Sequence, residues 1–292
     1  MTQKSRVVVF DLDDTLYKEQ DYLKSAYREI ALLVGAGPDA AEEVYEQMLR
    51  WWQNGDNVFR QLIDVYGLDM TVDELLTIYR SHVPTIRLDE PVKNLLGRLH
   101  QYAVLGVITD GRSLSQQRKV EALELLAYMD EQDILVSEET GYEKPSEEPY
   151  RHFMTCYPSR TYYYIGDNPS KDFEAPNRLG WTTVCLLNDG RHIHRQDFSL
   201  PQQMLPKYKV SQLVEIENII ERYDTGRVFT EGVDTAIVGR PNVGKSTLFK
   251  SCKVSSIEPS PKPPPIIKIV VCFEAGIFFT VENFSSIGMP VA

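Results

Sequence analysis

The sequence predicts an α/β domain with a doubly wound parallel sheet, interrupted near its start by a helical insertion and followed by a poorly specified C-terminal tail. Three observations lead there. Short apolar runs recur at Val7 to Phe10, Val104 to Ile108, Ile134 to Val136, Tyr162 to Ile165 and Thr183 to Leu187. They are continuous rather than alternating, as strands covered on both faces are. Between them lie stretches long enough for crossover helices, which a parallel sheet requires. The gap between the first two runs far exceeds one crossover, which marks an insertion.

Taken in order, the first run leads into an insertion over residues 18–87. Tyr22, Ala26, Ile30 and Leu33 share one helical stripe, and Val44, Met48 and Trp51 or Trp52 another. Gly37-Pro38 and Asn54-Gly55 break the chain between helices. Thr71 and Glu74 have the spacing of a capping box, in which hydroxyl and carboxylate satisfy free amides at a helix start. Four helices with one apolar side each make a small cap. Helices are further predicted over Leu114 to Ala127, Pro149 to Cys156 and Ser170 to Leu179, with Gly180 as a C-terminal stop. The core therefore comprises residues 1–17 and 88–222. The character changes after about residue 225, and residues 251–292 are expected to be irregular, with the stiff Lys262-Pro263-Pro264-Pro265 and the interrupted apolar run Ile266 to Val281.

The 292 residues are 42% hydrophobic and 25% charged, a globular composition. The net charge of -11 argues against a broad nucleic-acid footprint, which needs a basic face. No segment is apolar enough for a signal peptide or a membrane span, so a cytoplasmic protein is expected. The four cysteines lack any paired spacing and suggest neither disulfides nor zinc.

The chemistry gathers at predicted strand ends, where parallel sheets place their ligands. Asp11 and Asp13 follow the first strand, and two carboxylates so spaced can divide labour: one attacks phosphorus, the other protonates the leaving oxygen and later activates water. Gly166-Asp167-Asn168-Pro169-Ser170-Lys171-Asp172 follows the fourth strand and suits a hard ion such as magnesium. Asp167 and Asp11 are its expected side-chain ligands and the Asp13 carbonyl a third. Thr109, Asp110 and Gly111 end the second strand, offering a hydroxyl and unpaired amides to a phosphate. Lys144 supplies positive charge for the nucleophile and the transferring group, and Pro145 favours an extended Lys144. Tyr17, Lys18, Arg60 and Arg112 are candidate substrate contacts. His192 and His194 resemble a metal pair without the rest of a ligand set, so an exposed loop is expected there.

Four motifs in this order, each after its own strand, resemble the haloacid dehalogenase-like hydrolase superfamily over nearly all of residues 5–220. Its D-x-D-x-T, Thr or Ser, Lys, and G-D-x-x-x-x-D motifs are all matched. The resemblance implies Asp11 as nucleophile, Asp13 as general acid and base, Thr109 and Lys144 as phosphate ligands, and Asp167 as a ligand of magnesium. It also implies that Asp172 positions metal water or Lys144, that Thr15 supports the first loop, and that the insertion is a type-1 cap. Dehalogenases of the superfamily lack an acid at the place of Asp13, so a phosphatase acting on a small phosphorylated metabolite, a sugar phosphate or a nucleotide, is preferred. A phosphomutase shares the same motifs.

A second motif lies in residues 223–250. Gly239, Gly244, Lys245 and Ser246 fit the phosphate-binding loop G-x-x-x-x-G-K-[ST] after the apolar run Thr235 to Val238. The stretch resembles the start of the G domain of bacterial tRNA-modification and ribosome-assembly GTPases. No Asp follows Asp234, so the acidic and base-reading motifs of such a domain are missing. It reads as a truncated fragment, and GTP is not expected as a ligand.

Overall fold

The computed structural model describes residues 4–225 and four later strands, with side chains up to residue 221. Strands β1 (Arg6–Phe10), β2 (Ala103–Thr109), β3 (Ile134–Val136), β4 (Thr161–Gly166), β5 (Thr182–Leu186) and β6 (Tyr208–Val210) form one sheet in the order β3-β2-β1-β4-β5-β6. Every pairing is parallel. The chain starts in the middle, builds out to β3, then returns to the other side of β1. Val7, Val8, Val9 and Phe10 are wholly buried, because β1 is covered on both faces. Its neighbours β2 and β4 lie on opposite sides of it, so the strand order reverses here, the place where doubly wound sheets take their ligands. Phe10 registers with Val107 and Ile165, which brings the three strand tips level.

Helices α1 (Glu19–Val34), α2 (Pro38–Asn54), α3 (Val58–Tyr66) and α4 (Val72–Ser81) form the insertion, around a core that includes Tyr27, Ile30, Val44, Met48, Trp51, Leu62 and Leu75. The capping box forms: Thr71 Oγ1 accepts from Glu74 N at 3.2 Å, and Thr71 N donates to Glu74 Oε2 at 2.7 Å. Leu33 departs from its expected stripe and is exposed, since Tyr22, Ala26 and Ile30 are joined by Leu23, Tyr27 and Ala31, a face rotated away from it. The core helices are α5 (Glu90–His100), α6 (Ser113–Ala122), the single turn α7 (Ser137–Thr140), α8 (Glu148–Cys156), α9 (Glu174–Arg178) and α10 (Ile216–Thr225). The insertion rests on α6, where Ser115 Oγ donates to Arg80 O at 3.1 Å.

Two helices are shorter than their sequence pattern. The stretch predicted as helix to Ala127 breaks at Glu124, whose φ of 55° is left-handed, and continues as a 3-10 turn over Leu125–Ala127. Leu123 and Leu125 are both buried, and residues two apart cannot share one face of a continuous α-helix. Residues 170–173 are wound into turns because the Asp172 carboxylate accepts from Asp167 N and Asn168 N, a local alternative to helical bonding. The three-residue β6 was not anticipated.

Gly106 in β2 shows how closely a helix covers the sheet. A Cβ there would lie 2.5 Å from Phe153 Cζ and 2.8 Å from the Asp133 carbonyl. Gly106→Ala is expected to cost at least about 2 kcal/mol by overpacking, read as a lower urea midpoint at unchanged m-value.

Beyond residue 217 the chain forms a second compact unit. Its described strands are two antiparallel pairs, β7 (Phe229–Glu231) with β8 (Asp234–Ala236) and β9 (Ile269–Cys272) with β10 (Phe278–Val281). The second pair corrects the expectation of an irregular tail: it uses the apolar run after Ile266, whose β-branched residues suit strands. Gly239, Gly244, Lys245 and Ser246 lie outside the described residues.

Candidate active site

The loop leaving β1 turns at Asp14, whose φ is 55°, and its Asp11 N donates to Ile165 O at 2.8 Å. Asp11 is thereby tied to the tip of β4, one residue before Gly166-Asp167. The Lys144 ammonium donates to Asp11 Oδ1 at 2.6 Å and to Asp172 Oδ1 at 2.8 Å, with all three side chains buried. Burial pushes the Asp11 carboxyl well above its usual range, although Lys144 pulls the other way and Asp172 and Asp167 add to the rise. Burial would lower Lys144, but Asp11 and Asp172 hold it well above the usual ammonium value. Asp167 is pushed up to about 8 by burial, then by Asp172 and Asp14. One ammonium thus faces three buried carboxylates, an excess of negative charge that a divalent cation would offset.

The donor chemistry agrees with such an ion. Asp11, Asp167 and Asp172 offer oxygen atoms that lie within 4.8 Å of one another, and an all-oxygen set suits a hard cation. Asp172 is the least available of the three. Its Oδ2 accepts from two backbone amides and its Oδ1 from Lys144, so its carboxylate organises the loop and the lysine.

The Asp13 carboxylate is bonded elsewhere, and the contribution expected of Asp13 to the ion is its main-chain carbonyl. Lys119 Nζ donates to both of its oxygens at 2.8 and 2.9 Å, Gln116 Nε2 reaches Oδ2 at 3.1 Å, and the Tyr17 hydroxyl donates to Oδ1. Burial would raise Asp13, but the Lys119 charge and these bonds hold it below the usual carboxylate value. Lys119 also lies over the Tyr22 ring, 4.4 Å from its centroid, which links the insertion to this acid.

Thr109 is buried beside the site, its hydroxyl accepting from Gln116 Nε2. Asp110 Oδ1 accepts from Lys144 N at 3.0 Å and so holds the lysine loop. Gly111 N, expected to be free for phosphate, donates instead to Ser137 Oγ at 3.0 Å, at the start of α7. Thr15 is buried, and its hydroxyl has no hydrogen-bond partner among the described residues. Tyr17 contacts Asp13, whereas Arg60 pairs with Asp64 and Arg112 with Glu138 at the surface.

Sequence reasoning missed three contributors. Gln116 and Lys119 lie three apart on α6, a spacing that puts both on one face, but polar pairs on helices are usually solvated and nothing local marks these as buried. His192 corrects the expectation of an exposed loop: its side chain is fully buried, with Nδ1 3.2 Å from Asp167 Oδ2. The loop is drawn in because Ile193 N donates to Asp14 Oδ2 at 2.7 Å and Gln196 Nε2 to Asp167 O at 2.6 Å. His194 is exposed.

Known proteins match the two parts of the chain separately. YfnB of Bacillus subtilis, solved with magnesium bound, is 21% identical over 75% of this chain and 99% of its own, with a TM-score of 0.52, a likeness of fold. A 2-haloacid dehalogenase of Pseudomonas syringae pv. Tomato DC3000 is 21% identical over the same shares, with a TM-score of 0.49. At the C-terminus, the tRNA modification GTPase MnmE of Natranaerobius thermophilus is 60% identical over 36 residues, 12% of this chain and 8% of that protein. The chain thus spans about a twelfth of the curated relatives it matches. Among the described residues no helix is long and apolar enough to cross a membrane. The sequence pattern of haloacid dehalogenase-like hydrolases matches residues 8–186, and with the sheet order and the strand-tip carboxylates in place, the chain belongs to the haloacid dehalogenase-like hydrolase family.

Proposed function

We propose that this hydrolase is a magnesium-dependent phosphomonoesterase of the cytoplasm that cleaves a small phosphorylated metabolite through an aspartyl phosphate. One observation carries the reading. A buried carboxylate, Asp11, is fixed by Lys144 at the reversal of the sheet, and two residues on a second carboxylate, Asp13, is held apart on its own cation.

In this reading Asp11 attacks phosphorus while Lys144 holds it and offsets charge on the equatorial oxygens. Thr109 binds a phosphate oxygen, its hydroxyl turned by Gln116. The bond from phosphorus to the ester oxygen breaks as Asp13, which must take up a proton in the substrate complex against the Lys119 charge, delivers that proton to the oxygen. Asp13 then takes a proton from the water that attacks the aspartyl phosphate, and inorganic phosphate and the Asp11 carboxylate are released. Asp11 and Asp167 would hold the magnesium ion, which supplies charge neutralisation and orients the phosphate. Magnesium in YfnB is consistent with that assignment. The insertion covers the site as a cap and sets substrate choice. An acid at Asp13 favours an alkoxide leaving group over a halide, which needs no proton.

The test is phosphate release across a panel of sugar phosphates, nucleotides and small organic phosphates. Activity is expected on at least one class, to vanish with chelator, and to return with magnesium. Halide release from 2-haloacids with no phosphate release would overturn the reading.

A further inference from the structure

His192 is a buried titratable side chain that the reaction does not use. It comes from the loop after β5, and its ring meets both the entrance to the insertion and the acidic residue after β4. Its Nε2 is 2.9 Å from Lys18 Nζ, at the entrance to α1, and its Nδ1 is 3.2 Å from Asp167 Oδ2. Lys18 also pairs with Asp189 at 3.3 Å, and a lysine head group has only donors to offer. An ammonium at Nε2 requires that nitrogen to present its lone pair. The imidazole proton then belongs on Nδ1, facing Asp167.

The loop around His192 is built to hold that contact. Asn188 Oδ1 accepts from His192 N at 3.1 Å and from Gly190 N at 2.7 Å. Ile193 N is bonded to Asp14, and Gln196 to the Asp167 carbonyl. The Asp167 backbone is therefore bonded from this strap, and the same strap brings the His192 ring beside its carboxylate. The Nδ1 approach is close without the alignment of a full hydrogen bond, so the ring acts on the carboxylate chiefly through the N–H dipole.

We propose that His192 is a positioning residue: as the Nδ1–H tautomer fixed by Lys18, it orients Asp167 for the divalent cation and ties cation binding to the first residue of the insertion. The same cluster of Asp14, Asp167 and His192 has donor atoms close enough for an ion of its own. Direct ligation by Nδ1 would put an Nε2–H against the Lys18 ammonium, two donors 2.9 Å apart, which argues against it.

The inference rests on the reading that Asp167 holds the cation, and its test separates the two. Magnesium binding to the full chain is measured by calorimetry for the wild type, Asp167→Ala, His192→Ala, His192→Asn and Lys18→Met. Loss of a group that orients a ligand typically weakens metal affinity about 10–100-fold, and that is expected for His192→Ala. His192→Asn, whose amide can donate from the place of Nδ1, is expected to recover most of it, and Lys18→Met to weaken binding in the same direction. Nitrogen-15 imidazole spectra, with His192→Asn assigning the signal, are expected to show His192 protonated at Nδ1. Undiminished binding in Asp167→Ala overturns the parent reading. Diminished binding there with wild-type affinity in His192→Ala overturns this inference alone, as does an Nε2–H tautomer or a second bound equivalent lost with His192.

Discussion

Asp11→Asn is expected to reduce phosphate release by about 10^4-fold or more, the scale of losing a covalent nucleophile. The amide keeps the shape of the side chain, and Lys144 keeps Asp172 as its partner at 2.8 Å. The fold should survive for a second reason. Burial already disfavours the Asp11 anion, so a neutral group at the tip of β1 relieves repulsion from Asp167 and Asp172 while giving up the attraction of Lys144. These effects oppose each other, and the free energy of urea unfolding is expected to change by no more than a surface substitution typically changes it, about 0.5 kcal/mol. Acid-quenched wild-type enzyme should carry phosphate on the peptide that contains Asp11. Turnover that persists in the variant would remove Asp11 from the nucleophile's place.

The expectations that held were those in which a local signal and a tertiary requirement coincide. A strand buried on both faces must be apolar throughout, so Val7 to Phe10 shows its burial in one dimension, and the polar residue after it marks a strand tip. The placement of Asp11, Thr109 and Asp167 at strand ends, with Lys144 on a loop beside them, was legible for that reason, whatever part each takes in the chemistry. The edge strand Tyr208–Val210 has three residues and one of them buried, too little for a pattern to register. Lys119 and His192 failed differently. Both are polar residues whose burial depends on partners more than a hundred positions away, Asp13 for the first and Asp14 acting through Ile193 for the second. A charged residue on a helix face and a basic loop read as solvated until the fold brings a carboxylate to them. Gly111 is a milder case, where a free amide was expected and a serine 26 positions later takes it.

Lys144→Met carries the largest expected loss of stability, and it follows from how this ion cluster is built. A buried ion pair contributes little against an apolar replacement of both partners, because desolvation offsets the attraction, but removing one partner strands the other. Here a single ammonium serves two carboxylates, Asp11 at 2.6 Å and Asp172 at 2.8 Å, so its removal strands both. In chelator at neutral pH the loss is expected to be about 3–5 kcal/mol, read from urea unfolding. Combining it with Asp172→Asn should give back part of that loss, so the double variant is less destabilised than the two single losses added, with a coupling of about 1–3 kcal/mol. Magnesium should restore part of the stability of Lys144→Met, since the ion binds the folded carboxylates and offsets the same charge. Activity should not return with it, because an ion held by Asp11 and Asp167 would not supply the ammonium that donates to Asp11 Oδ1. Simple additivity in the cycle, or a Lys144→Met protein as stable in chelator as the wild type, would show that the three side chains do not share one charge.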